Sequence, residues 1–243
     1  MKWTLLFAVV FPLVTFAGPP FVTDDPEPVE YHHYELYFST QFVRASDSDV
    51  GALPLVEFNY GIMEDVQVHV VGPMMYSRAS GGPSQYGYGD TELGLKYRFI
   101  HETDSRPQVG IFPMLEIPSG SLDRGTGNGN PQLFLPVWLQ KSWGQWSSYG
   151  GGGLWLNSGY GHKNFWRLGW QLQKELNTKW TLGGEIFQNT GSETGAASDA
   201  FYNLGGYWKV DGANQILFSI GHSLNRSDES IGYIGILLTG ARP

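Results

Sequence analysis

The chain has 243 residues, with Gly at 33 positions, aromatics at 15% and charged residues at 16%. That charge content is well below the ~25% of an ordinary soluble chain, and the aromatic content excludes a disordered Gly-rich polymer, which lacks groups to bury. A net charge of -8 gives no attraction for polyanions, so no nucleic acid partner is expected, and the absence of Cys removes disulfides, thiolate metal sites and cysteine nucleophiles.

Residues 1–17 read as a signal peptide. Lys2 precedes the apolar run from Leu5 to Val14, and Thr15-Phe16-Ala17 offers small residues where a signal peptidase reads, with cleavage expected after Ala17 or Gly18. The run is too short for a spanning helix, which needs ~20 apolar residues, and it contains Pro12. Residues 18–30 follow as a Pro-rich, acidic leader.

From residue 31 onward the sequence falls into segments of about ten residues that alternate apolar and polar, the period of a strand with two unlike faces. The segments are 31–43, 51–60, 65–77, 89–100, 107–117, 131–142, 146–157, 164–176, 179–190, 200–210, 214–224 and 230–239. In 91–100, Thr91, Leu93, Leu95, Tyr97 and Phe99 share one face, while Glu92, Gly94, Lys96 and Arg98 share the other. Short connections such as Asn177-Thr178 alternate with longer ones rich in Gly, Ser, Asp and Asn, such as 118–130. An even set of antiparallel strands with tight turns at one end and long loops at the other predicts an all-β fold, an up-and-down transmembrane barrel of about twelve strands over residues 31–243.

A secreted sandwich or lipocalin-like barrel also alternates, but twelve strands enclose a lumen wide enough to hold polar side chains. Aromatics near the strand ends, among them Tyr34, Tyr60, Trp143, Trp146, Trp180 and Trp208, fit interfacial girdles. Export to the outer membrane is therefore expected, with membrane lipid and the barrel-assembly machinery as partners. The assembly machinery commonly reads a terminal aromatic; this chain ends Gly240-Ala241-Arg242-Pro243, so an internal signal of Tyr233, Ile236 and Leu238 is expected instead.

Several strings add a likeness to a known family. Thr23-Asp24-Asp25-Pro26, the run Tyr88-Gly89-Asp90-Thr91-Glu92-Leu93-Gly94-Leu95-Lys96-Tyr97-Arg98-Phe99, Leu115-Glu116-Ile117-Pro118-Ser119-Gly120 and Leu135-Pro136-Val137-Trp138-Leu139-Gln140-Lys141 together resemble a Gram-negative transporter family labelled for the meta-pathway of phenol degradation. Gly150-Gly151-Gly152-Gly153 with Trp155 and Asn157, and Leu182-Gly183-Gly184-Glu185-Ile186-Phe187, continue the likeness over almost the whole mature chain. The resemblance implies an outer-membrane barrel with a transport role, a label that rests on gene neighbourhood.

If the apolar face meets lipid, the other face delivers Glu35, Glu57, Glu92, Lys96, Arg98, Glu116, Arg167, Glu185 and Lys209 to the lumen, because Arg or Lys facing mid-bilayer costs ~2–4 kcal/mol. Tyr37, Phe112, Phe134 and Trp138 join them as faces for ring-bearing solutes. These thirteen residues are the candidate lumen lining, either bracing a plugged structural barrel, with the leader 18–30 lying in its periplasmic mouth, or bordering a path for passive diffusion of small hydrophobic or aromatic solutes. No nucleotide motif or energy-coupling box is evident, and no cofactor is expected.

Catalysis is not expected. His222-Ser223 with Asn225 resembles the His, Ser and Asn of a twelve-strand outer-membrane phospholipase, yet adjacent strand residues point to opposite faces and cannot act as base and nucleophile together. Gly125-Thr126-Gly127-Asn128-Gly129-Asn130 follows no parallel strand and opens no helix, so it reads as an outer loop rather than a phosphate cradle. His32-His33, His69, His101 and His162 lack ligand spacing, so no metal is expected.

Overall fold

The computed structural model describes residues 18–241 except 160 and 227, so the expected signal peptide and the terminal Arg242-Pro243 lie outside the described residues. Fourteen strand segments run in chain order: β1 (His33–Arg44), β2 (Ser48–Met63), β3 (Val66–Ala79), β4 (Gln85–Tyr88), β5 (Thr91–Ile100), β6 (Gln108–Ile111) and β7 (Met114–Ile117), then β8 (Gln132–Trp143), β9 (Trp146–Asn157), β10 (Phe165–Glu175), β11 (Trp180–Asn189), β12 (Asp199–Lys209), β13 (Asn214–Ser223) and β14 (Ser230–Ala241). Every strand pairing is antiparallel, and β1 pairs with β14 from His33↔Ala241 to Arg44↔Ser230, which closes the sheet on itself.

The fourteen segments make twelve staves. β3 pairs with β4 through Met74–Ser77 and with β5 through Val66–Val71, so β4 and β5 are one stave interrupted at Gly89-Asp90. β8 likewise pairs with β6 and β7 along one edge, and these form one stave interrupted at Phe112-Pro113. Both interruptions have local causes. Pro113 has no N–H to give a ladder. Asp90 turns its carboxylate to the loop over residues 118–131, where Oδ1 accepts from the Gly120 N–H at 2.9 Å and Oδ2 from that of Asn128 at 2.6 Å.

The distribution of exposure separates a membrane barrel from a soluble one. Leu95, Leu168, Ile186, Leu204, Ile220 and Ile234 are 44–66% exposed, while Glu92, Lys96, Arg167 and Glu185 are 3–6% exposed. A soluble barrel hides its apolar face; here the apolar face is outside and the charges are enclosed. Such a surface is stable against hydrocarbon, and closure leaves no strand edge with unsatisfied backbone groups. No helix among the described residues is long and apolar enough to cross a membrane, so the crossing is made by strands. At the tight-turn end Trp180 and Trp208 stack at 5.7 Å on neighbouring staves, and Trp143 opposes Trp146, as interfacial aromatics do.

The Gly150–Gly153 run lies inside β9. Gly151 and Gly152 have φ of 146° and 151°, and a Cβ on Gly151 would run into the Val137 carbonyl oxygen and the Trp138 ring. The missing side chains allow the large Trp138 ring to lie inward against the wall.

The leader is where the fold departs from expectation. Residues 18–30 were expected at the periplasmic mouth of a plugged barrel; instead they run deep into the lumen. Val22 packs with Val43, Phe187, Phe201 and Ile231, which sit toward the long-loop ends of their staves. The chain then descends and leaves at the tight-turn end, where the His32 N–H donates to the Gly61 carbonyl at 3.0 Å.

Candidate functional site: the barrel interior

Two sets of contacts fill the lumen. The first holds the leader. Glu185 on β11 accepts from the backbone N–H of Val22 at 2.8 Å and of Thr23 at 2.7 Å, and Asn203 donates to the same carboxylate at 3.0 Å. Ser219 donates to the Pro20 carbonyl at 2.7 Å, and the Val29 N–H donates to Gln67 Oε1 at 2.8 Å. Lys96 on β5 lies 3.0 Å from Asp24 and 3.6 Å from Asp25, while Arg98 lies 3.6 Å from Glu27 and 3.0 Å from Asp65. Gly169 makes room on β10, because a Cβ there would collide with the Thr23 hydroxyl.

The second set is a wall of rings on β6 to β10. Met114, Phe134, Trp155 and Phe165 are register partners across four successive segments, β7, β8, β9 and β10, all facing inward. Phe134 stacks on Trp155 at 4.7 Å and Trp155 on Phe165 at 5.8 Å, with interplanar angles of 6° and 8°. Trp138 meets Phe134 edge-on at 6.4 Å, and Phe112 packs edge-on to His69 at 5.2 Å. The Arg167 guanidinium sits 5.7 Å from the Trp155 ring centroid and 6.0 Å from that of Phe134, while its Nε donates to Asn189 Oδ1 at 2.8 Å. Cation and ring quadrupole attract most where water is excluded, as at these buried positions.

Polar residues continue around the ring. His69 bridges Asn59 Oδ1 at 2.7 Å and Glu92 Oε1 at 2.8 Å, with Glu57 Oε1 at 3.6 Å, and Asn59 donates to Glu57 at 2.9 Å. Tyr37 donates to Glu35 at 2.8 Å. Among the described residues no group of three or more His, Asp or Glu has metal-holding geometry.

Ten of the thirteen candidate residues lie on inward faces with under 8% exposure: Tyr37, Glu57, Glu92, Lys96, Phe112, Glu116, Phe134, Trp138, Arg167 and Glu185. Glu35, Arg98 and Lys209 also fall on inward positions but are half-buried near the tight-turn mouth. Phe112, Phe134, Trp138 and Arg167 come together in the ring wall, and Glu35, Tyr37, Glu57 and Glu92 in the network around His69. Sequence reasoning missed Trp155, Phe165, His69 and Gln132, although the parity of each segment already places them inward. It also missed the leader carboxylates, which carry no periodicity. At the outer end of β13, His222 Nδ1 is 2.8 Å from the Ser223 carbonyl, and the Ser223 hydroxyl donates to Asn225 Oδ1 at 2.9 Å, so ring and hydroxyl engage different partners. Of the expected assembly signal, Tyr233 faces inward at 4% exposure while Ile236 faces outward at 49%, so they do not share a face.

A closed antiparallel barrel with a greasy exterior, aromatic borders and an enclosed polar interior defines an outer-membrane β-barrel protein. Residues 38–232 match the family described as "Putative MetA-pathway of phenol degradation", and the chain belongs to that family. No curated protein sequence matches it. Among solved structures it is similar to an outer membrane channel from Pseudomonas putida F1, with a TM-score of 0.72 at 14% identity over 89% of this chain and 98% of that one. It is also similar to the KdgM porin in complex with disordered oligogalacturonate, with a TM-score of 0.57 at 10% identity over 84% and 98%. A third likeness is to the CymD monoaromatic hydrocarbon channel, with a TM-score of 0.50 at 10% identity over 88% and 89%. A common barrel thus accompanies a sugar-acid polymer in one case and a hydrocarbon in another, so the solute has to be read from the interior.

Proposed function

We propose that this protein is an outer-membrane channel for the passive diffusion of small hydrophobic or aromatic solutes. The observation that carries the reading is the inward wall of Met114, Phe134, Trp155 and Phe165. Four apolar side chains in register, three of them aromatic rings, form a continuous apolar strip on the inward wall, the kind of surface on which rings stack. Diffusion needs no energy source, and the solute gradient drives flux. The structural neighbours named above include a channel for monoaromatic hydrocarbons, which agrees with this choice of solute.

The test is uptake of a radiolabelled aromatic solute by Gram-negative cells whose outer membrane carries the protein, compared with cells lacking it. Faster initial uptake that falls when Phe134 and Trp155 are both replaced by Ala supports the reading. Equal uptake with and without the protein overturns it.

The ordered leader favours a second reading of the same barrel. Phe21, Val22, Thr23 and Asp24 are 1–3% exposed, so the leader packs the lumen as a core residue would. In that reading the barrel is a plugged structural element of the envelope, and removing the leader separates the two readings, as argued below.

A further inference from the structure

The outward face of the barrel is apolar through its middle, but at the long-loop end of β1, β2 and β3 it carries three charged side chains. Arg44, Asp49 and Arg78 are register partners across these staves. Each stands at an outward position, because the neighbours of opposite parity, Val43, Val50 and Ser77, are inward and only 1–6% exposed. Among the described strand residues, these are the only Asp, Glu, Lys or Arg that face outward at this end. Asp49 is the middle one. Its Oδ1 accepts from Arg44 Nε at 3.1 Å and its Oδ2 from Arg78 Nη2. The Asp49 side chain is 16% exposed, against 74% for Arg44 and 51% for Arg78. One carboxylate thus holds two guanidinium groups side by side, and the cluster keeps a net positive charge. Both Nη atoms of Arg44, and Nε and Nη1 of Arg78, have no hydrogen-bond partner among the described residues. The carboxylates of the adjoining loops are occupied: Ser46 donates to Asp228 through its N–H at 3.3 Å and its hydroxyl at 2.5 Å, and Ser48 donates to Asp47 at 3.1 Å.

Two residues further into the membrane along the same staves lies an apolar row, Phe42, Gly51 and Tyr76, again in register and outward. Gly51 has no side chain, so the two rings flank a shallow notch beneath the Arg pair. Phe42 is 42% exposed with its ring over Gly232 of β14, and Leu53, 55% exposed, continues the apolar surface down β2. Paired cations above an apolar notch match an amphipathic anion. A guanidinium binds phosphate through parallel charge-assisted hydrogen bonds, and basic clusters at a membrane border hold lipid headgroups. The leaflet decides which headgroup. Long loops of such barrels lie at the cell exterior, and the outer leaflet there is built of the phosphorylated glycolipid lipid A. We infer that Arg44 and Arg78, set by Asp49, form a docking site on the outside of the barrel for a phosphate group of lipid A, with an acyl chain against Phe42, Gly51 and Tyr76. An outward Arg is tolerated near the interface, and no solute inside the lumen reaches it. The site therefore seats the barrel in its leaflet and takes no part in choosing a solute.

This inference rests on the outer-membrane location and not on the channel reading. The test uses the full mature chain in detergent, with native mass spectrometry counting the lipid bound to the barrel as diphosphoryl lipid A is titrated in. Dephosphorylated lipid A, phosphatidylglycerol and inorganic phosphate are the comparison probes. Lipid A is expected to bind about ten-fold more tightly than its dephosphorylated form, the worth of one hydrogen bond between charged groups. In the double variant Arg44→Gln, Arg78→Gln that ratio falls toward one, while binding of the dephosphorylated form is kept. Lys174→Gln, outward at the tight-turn end of β10, leaves the ratio as it is. Heat-modifiable gel mobility verifies that each variant is folded, and Arg78→Gln alone, with a smaller fall in the same direction, carries the test if the double variant is not. Equal binding of the two lipid A forms, or an unchanged ratio in the folded Arg variants, overturns the site. Phosphatidylglycerol binding as tightly as lipid A, or inorganic phosphate displacing lipid A at equal concentration, overturns lipid A as its occupant.

Discussion

Lys96 Nζ and Asp24 Oδ1 are 3.0 Å apart inside the barrel, although the residues are separated by 72 positions in the sequence and their side chains are only 7% and 2% exposed. A wall residue and a leader residue thus form an enclosed ion pair. Breaking one such pair from one side leaves a buried charge, which costs about 3–5 kcal/mol, more than the net worth of the pair itself. Lys96→Met is expected to loosen the leader, seen as faster proteolytic clipping within residues 18–30 in micelles. Adding Asp24→Asn to Lys96→Met should restore much of the protection, since the charge left without Lys96 is then only that of the part-exposed Asp25. Unchanged clipping in the single variant would show that the pair does not hold the leader.

Deleting residues 19–29 removes the ligands of Glu185, Ser219, Lys96 and Gln67 together, while leaving the twelve staves and their register intact. The lumen should then admit water and small polar solutes. Liposome swelling and single-channel conductance should rise several-fold over the full chain. A folded barrel that remains impermeable after the deletion would mean that wall side chains alone close the lumen, which favours the structural reading.

Ile186 is 60% exposed on the outward face at the middle of β11, one residue from the enclosed Glu185. Ile186→Arg is expected to destabilise the barrel by ~2–4 kcal/mol in urea unfolding from phospholipid vesicles, the cost of a guanidinium at mid-bilayer depth. In detergent the penalty should shrink. A neutral effect in both media would contradict the lipid-facing assignment of this strand parity.

At the tight turn between β12 and β13, hydrogen bonds from the Asn214 side chain and the Ala213 N–H hold the Asp211 carboxyl below its usual value. A carboxylate with a depressed folded-state pKa contributes stability that is present above the unfolded pKa and is lost as pH falls through the folded one. Asn214→Ala should move the NMR titration midpoint of Asp211 up toward the ordinary aspartate value of 3.8. No movement would show that the side-chain amide is not what favours the ionised form.

The first periplasmic readout is simpler. Intact mass of the exported protein is expected to correspond to cleavage after Ala17 or Gly18; a mass retaining residues 1–17 would contradict the signal-peptide expectation.

Strand number, strand parity and the enclosure of Glu57, Glu92, Lys96, Glu116, Arg167 and Glu185 were legible in the sequence because alternation is a local, period-two property. The two interrupted staves were not. Pro113 could have signalled one break, but the diversion of Asp90 to Gly120 and Asn128 is a tertiary contact with no local mark. The partners of Lys96, and Glu27 as a partner of Arg98, escaped for the same reason, since they lie on a leader whose path obeys no strand period. Trp155 is a different case: its parity with Gly153 and Asn157 puts it inward, but its stacking on Phe134 and Phe165 joins three staves and has no local mark.

The seam between β1 and β14 joins the first stave to the last, so it can zip only when the whole chain has been delivered. The leader is attached to β1 by two residues, Tyr31 and His32, and is enclosed by the cylinder. Any movement of the leader out of the lumen must therefore break its contacts with Glu185, Ser219, Lys96 and Gln67, which lie on four different staves of the closed cylinder.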